Sequence, residues 1–169
     1  MIVTIIIATV ATVCVLMAGG ALTEIGPWYF SLRNPPWRPP NWAFGPVWGV
    51  IGAFTCAAAV IAWRTSPTGW DKAVTILLFA INAGLNILWS LLFFKLRRPD
   101  WALIEVVFLW LSILALIFAF YPRSPSAAAL LVPYLVWVSI ASVLNRAMVR
   151  LNGPFHGQAD RGGSVKGQS

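Results

Sequence analysis

Charge is what this sequence has least of. Lys, Arg, Asp and Glu make up 10% of its 169 residues, while 59% are hydrophobic; soluble domains carry roughly 25% charged residues. That shortage excludes a soluble chain folded around one core and predicts an integral membrane protein. Histidine occurs once, at His156, and cysteine twice, at Cys14 and Cys56. Both cysteines lie inside apolar runs. They are too few for a disulfide framework or a zinc scaffold and read as small core residues. With no Ser/His/Asp arrangement, metal-ligand set or nucleotide loop, neither a conventional enzyme nor a metal site is expected. The net charge of +7 would suit nucleic acid, but the basic residues are scattered between apolar segments and not gathered on one face, so no nucleic-acid partner is expected.

What is present is a set of five long apolar runs. Residues 1–23, 39–63, 73–94 and 124–145 carry no charged side chain, and 101–122 carries only Glu105. Each run is long enough for the ~20 residues that cross a bilayer as a helix. A chain in lipid must also satisfy its backbone internally. The predicted fold is therefore all-α: one five-helix transmembrane domain over 1–152, with spans at about 1–23, 41–63, 73–94, 101–121 and 125–146. The first run lacks a basic leading segment and reads as a span, not a signal peptide. The Gly-rich, polar stretch 153–169 reads as a disordered tail. Five crossings put the termini on opposite sides. Arg64, Lys72 and Arg123 fall on the N-terminal side, against Arg33, Arg38, Lys95, Arg97, Arg98, Arg146, Arg150, Arg161 and Lys166 on the other. The positive-inside rule then places the N-terminus outside, and the C-terminus and first loop in the cytoplasm.

Polar residues deep in a span are expensive and informative. Asn82, Asn86 and Ser90 recur at i, i+4, i+8 and share one face of the third helix. They serve either as interhelical glue or as a pocket lining. Ala80 and Gly84 form a small-xxx-small pair on the same helix, a possible seat for a second copy. Glu105 either meets the Lys95/Arg97/Arg98 cluster or faces the bundle interior. At ~1.5 Å per residue, Trp48, Asn86 and Trp137 lie ~10–13 Å from the cytoplasmic ends of their helices, with Trp89 and Glu105 shallower. Groups from separate helices thus share one layer. Beside that layer runs the stretch "NPPWRPPNWAFGPVW", with five prolines and three tryptophans in residues 34–48. Its proline pairs favour stiff, extended backbone, and Trp28, Tyr29, Trp37 and Trp42 offer flat faces. It reads as a lid over a flat apolar ligand or as an interfacial anchor. Pro46 is expected to loosen the second helix near Trp48.

The stretches "WYFSLRNPPWRPPNWAFGPVW" (28–48), "NILWSLLFF" (86–94), "WALIE" (101–105) and "LVPYLVWVSIASVLN" (131–145) together resemble the TspO/MBR family. This is the family of the tryptophan-rich sensory proteins and the translocator protein, or peripheral-type benzodiazepine receptor. The likeness runs from about residue 24 to 152. It implies a five-helix bundle, usually a homodimer, whose pocket is closed by the first loop. It also implies ligands that include porphyrins such as protoporphyrin IX and haem. By motif, the pocket positions are Trp48, Asn86, Trp89, Glu105, Tyr134, Trp137 and Ala141. The loop positions are Trp28, Pro36, Trp37, Pro39 and Pro40. The family often has Asp where this chain has Glu105. Sterol binding is not expected, because "SVLNRAMVR" lacks the tyrosine that animal members place at the end of the fifth helix. A formal sterol pattern does occur at Leu116, Tyr121 and Arg123, on the other side.

A porphyrin suits such a site, with aromatic walls for the ring, Asn86 for a polar group, and Arg33 and Arg38 nearest to its propionates. With no histidine in any span, haem is expected to bind without strong ligation to iron, and no obligatory cofactor is expected. The favoured function is a membrane porphyrin sensor or regulator. The alternatives are a transporter of porphyrins or similar molecules, and light- and oxygen-dependent protoporphyrin degradation involving Trp48 and Trp137. The absence of an inverted repeat counts against alternating-access transport.

Overall fold

A computed structural model describes residues 1–155; His156 and most of the expected tail lie outside the described residues. Among these, every regular element is a helix. Five helices are long and apolar enough to cross a membrane: α1 (Ile2–Leu22), α3 (Asn41–Thr65), α4 (Gly69–Ser90), α5 (Pro99–Phe120) and α6 (Pro125–Asn152). A short helix, α2 (Pro27–Ser31), lies in the first loop, and α4 continues into a π-helical turn, Leu91–Lys95.

The helix starts follow local chemistry. Pro27, Pro99 and Pro125 stand in the first turns of α2, α5 and α6, where a missing N–H does no harm. At α4, Thr68 and Asp71 form a capping box: the Asp71 N–H donates to Thr68 Oγ1 at 3.1 Å and the Thr68 N–H to Asp71 Oδ2 at 3.3 Å. The box draws Asp71 and Lys72 into the first turn, so α4 starts at Gly69 and not near residue 73. At the other end, α6 runs to Asn152, beyond the expected end near 146, because its last turns hold the first loop.

The spans form a closed ring. α1 packs on α3 and α4, α3 on α6, α6 on α5, and α5 on α4. Helix α5 carries much of the contact surface, burying Ala102, Val106, Leu109, Ile113, Leu116 and Phe120. α1 is the contrast, since none of its residues is fully buried. Polar ties cross the ring. Asn82 donates to Ser112 Oγ at 2.8 Å, and Trp110 Nε1 donates to Ser139 Oγ at 2.9 Å. Such bonds are worth about 0.6–2 kcal/mol each in a membrane. Asn145, 1% exposed, lies on α6 against the start of α5, where one orientation of its amide satisfies both the Pro99 carbonyl at 3.0 Å and the Leu103 N–H at 3.1 Å.

Helix α1 packs closely against α3 at Gly52. A Cβ there would lie 2.7 Å from Leu16 Cδ1 and 3.4 Å from Thr12 Cγ2. The nearest atom is the end of a flexible side chain, so Gly52→Ala is expected to be nearly neutral. Gly52→Leu would have to lever α1 off α3, with a loss of about 1–3 kcal/mol from overpacking. Thermal unfolding in detergent checks both; equal effects from the two substitutions would refute this account of the contact.

Candidate ligand-binding site

The ring of helices encloses a cavity of about 500 Å³ at the end of the bundle that carries the first loop. All five spans and the loop contribute to its wall. Trp48 and Phe44 come from α3, Asn86, Trp89 and Ser90 from α4, Val106 and Leu109 from α5, and Trp137 and Ala141 from α6. Gly19 and Gly20 of α1 complete it, with Tyr29 of α2 and Asn41 at the mouth end of α3. The wall is mostly aromatic and aliphatic, with a few polar groups, the usual build of a small-molecule site.

The aromatic groups hold one another in place. Phe44 meets Trp137 edge-on at 5.5 Å, and Trp48 meets Tyr134 edge-on at 6.0 Å. Trp89 stacks on Phe93 at 5.1 Å. The Trp89 indole N–H is buried and has no protein partner. Asn86 donates to the Tyr134 hydroxyl at 2.9 Å, a tie between α4 and α6. Asn86 is therefore interhelical glue and cavity lining at once, while Asn82 is buried glue whose partner is Ser112.

Trp48, Asn86, Trp89, Trp137 and Ala141 thus meet at one cavity. Two expected pocket residues stand elsewhere. Tyr134 borders a smaller cavity of about 130 Å³ on the far side of Trp48 and Asn86, which Ala8, Thr12 and Thr55 also line. Glu105 lines neither cavity. It is 6% exposed, and neither carboxyl oxygen has a hydrogen-bond partner. Its expected alternative, a pairing with the basic cluster, does not form. Lys95 pairs with Glu24, Arg98 pairs with Asp100 at 2.5 Å, and Arg97 faces the Trp28 ring at 5.9 Å.

The expected lid residues stand apart from the cavity wall. Trp28, Arg33, Pro36, Trp37, Arg38, Pro39 and Pro40 do not line the cavity; the loop's contribution comes from Thr23, Ile25 and Tyr29. The reason is local. Pro27 starts a turn of helix that carries Tyr29 inward, 5% exposed, onto Phe94 at 5.6 Å. Pro36, Trp37 and Pro40 stay exposed. Trp28 packs edge-on to Phe93 at 6.3 Å. Clasps at both ends hold the loop. The Arg33 N–H donates to Asn152 Oδ1 at 2.7 Å, and Asn152 Nδ2 donates back to the Arg33 carbonyl at 2.9 Å. Lys95 pairs with Glu24 at the other end and holds that carboxyl below its usual range.

Sequence reading missed Tyr29, Phe44 and the α1 wall as lining residues. The adjacent Gly19 and Gly20 were the available sign for α1. A Cβ on Gly19 would come within 3.7 Å of Ser90 Oγ and 3.9 Å of Asn86 Oδ1, a close approach of α1 to the polar face of α4.

Comparison with known proteins agrees with this architecture. The TspO/MBR family model matches residues 5–151. The tryptophan-rich protein TspO of Chlorobaculum tepidum is 42% identical over 129 residues, covering 74% of this chain and 80% of the relative. The human translocator protein is 35% identical over 131 residues, covering 77% and 78%. The tryptophan-rich sensory protein of Cereibacter sphaeroides is 34% identical over 133 residues, covering 79% and 82%. With five apolar crossings and a family match over nearly its whole described length, this chain is a multi-pass integral membrane protein of the TspO/MBR family.

Proposed function

We propose that the chain binds a porphyrin, protoporphyrin IX or haem, in the 500 Å³ cavity and acts as a membrane sensor or regulator. The observation that carries this reading is the meeting of three indoles, Trp48, Trp89 and Trp137, with the Asn86 amide in one cavity beneath α2. Flat aromatic walls suit a flat π-system, and the polar groups are few enough to orient it. The described lining offers no imidazole and no sulfur, so iron adds no strong protein bond. By the Lys/Arg count the cavity end faces the cytoplasm. The protein would act as a homodimer, with the exposed Ala80 and Gly84 on α4 open to a partner helix.

Titration of the purified protein with protoporphyrin IX and with haem, followed by tryptophan fluorescence, tests this. Saturable quenching is expected, with the free base binding at least as tightly as haem. No saturable quenching, or a strong preference for haem that His156→Ala abolishes, would refute it. A second reading, light- and oxygen-dependent degradation of protoporphyrin, is favoured by Trp48 and Trp137 facing the same cavity. Its mark would be loss of the Soret band under illumination that the Trp48→Phe, Trp137→Phe double variant abolishes. Counterflow in proteoliposomes would separate a transporter from both.

A further inference from the structure

We infer that the cavity takes its ligand as a carboxylate, and that Arg38 is the residue that receives it. The inference deepens the porphyrin reading and rests on it. Arg38 is half-buried and has no counter-ion among the described residues. The four acids described there are accounted for. Glu24 pairs with Lys95, Asp100 with Arg98 and Asp71 with Arg123. The fourth, Glu105, has neither oxygen hydrogen-bonded.

The surroundings of Arg38 belong to the cavity even though its own side chain does not line it. Its guanidinium carbon lies 4.9 Å from the centre of the Tyr29 ring, and one amino group donates to Asn41 Oδ1. Tyr29 and Asn41 both form cavity wall. The Arg38 Nε–H is buried and makes no hydrogen bond. Tyr29 does not supply the missing charge, because burial pushes its phenol above the usual range against the pull of Arg38.

A partly buried guanidinium with an idle donor is an incomplete site. A carboxylate completes it, bringing the charge and two acceptor oxygens that match the guanidinium fork. The other cations at this end are less suitable: Arg97, Arg146 and Arg150 are exposed, where water already solvates the charge. Arg33 is exposed, with its backbone clasped to Asn152, and Lys95 and Arg98 are already paired. Ring stacking on Tyr29 keeps the Arg38 guanidinium in one place. Arg38 is thus a specificity determinant: it favours acids over neutral molecules of the same shape.

The test compares protoporphyrin IX with its dimethyl ester, which keeps the macrocycle and removes both charges. The full chain in detergent is titrated by tryptophan quenching against a detergent-only blank. The native protein is expected to bind the diacid about tenfold or more tighter than the ester. Arg38→Gln should erase that difference by weakening the diacid alone, Arg38→Lys should keep part of it, and Arg33→Gln should keep all of it. Added salt should weaken the diacid and leave the ester unchanged. Equal binding of acid and ester by the native protein overturns the inference while leaving porphyrin binding intact, and needs no variant. A preference that survives in Arg38→Gln also overturns it. Binding of neither compound defeats the porphyrin reading and this inference together.

Discussion

Ala141→Phe is expected to weaken protoporphyrin binding by about 100-fold, roughly 2.7 kcal/mol, without unfolding the protein. Ala141 lines the cavity one turn from Trp137 and Val138, which also line it. Its side chain ends at Cβ, so the space in front of it is open to a ligand. A phenylalanine, whose side chain can bury roughly 150–250 Å² in all, takes the volume that a macrocycle needs. The same substitution in a collapsed core would cost about 1–3 kcal/mol of stability from overpacking. The two readouts therefore separate. A lost affinity with an unchanged melting temperature locates the ligand at this wall. Unchanged affinity, or a large drop in melting temperature, shows that the ligand sits elsewhere or that the cavity closes. Ala141→Gly, which leaves the space open, should bind within about twofold of the native protein.

The second large effect is a gain. Glu105→Met should stabilise the protein by about 1–3 kcal/mol, the usual cost of burying a polar group without a partner. Glu105 is 6% exposed on α5, between the buried Ala102 and Leu109, and neither oxygen has a partner. A carboxyl group in that position loses water and receives nothing in exchange. Methionine keeps the length and flexibility while removing the polar atoms. A higher melting temperature, with porphyrin affinity unchanged, is the expected pair of results. A lower melting temperature, or lost affinity, would mean that the carboxyl group has a partner in the membrane, such as a buried water or a ligand, and earns its place by function.

Much of the fold could be read from where charges are missing. In lipid, a run without charge has little choice but to become a helix, and each of the five runs contains most of one observed span. The ends were harder to read, because charges mark the interface and not the last hydrogen bond. Asp71 and Lys72 join α4 through the capping box, and Lys72 then lies 5.2 Å from the Trp63 ring centre. Arg146 and Arg150 sit inside α6, where long side chains reach outward while the helix continues.

The site divides in the same way. Trp48, Asn86, Trp89 and Trp137 stood out because bulky or polar groups are conspicuous among aliphatic ones, and depth counting put them near one level. The α1 wall was not legible. Its residues are almost uniformly apolar, so nothing distinguishes the side facing the cavity from the side facing lipid. Tyr29 was visible as an aromatic but not as a lining residue, since a five-residue helix leaves no periodic trace. The direction of Glu105 was left open because spacing alone does not say whether an acid near a helix start turns toward neighbouring cations or into the bundle. The other pairings of Lys95 and Arg98 settle that question.

The clasp between Arg33 and Asn152 joins residues 119 positions apart. The far end of the last helix is thus the anchor for a loop built near the beginning of the chain. A deletion that removes Asn152 would keep every crossing and still release that loop. An affinity tag or fusion partner attached close behind it works on the same anchor.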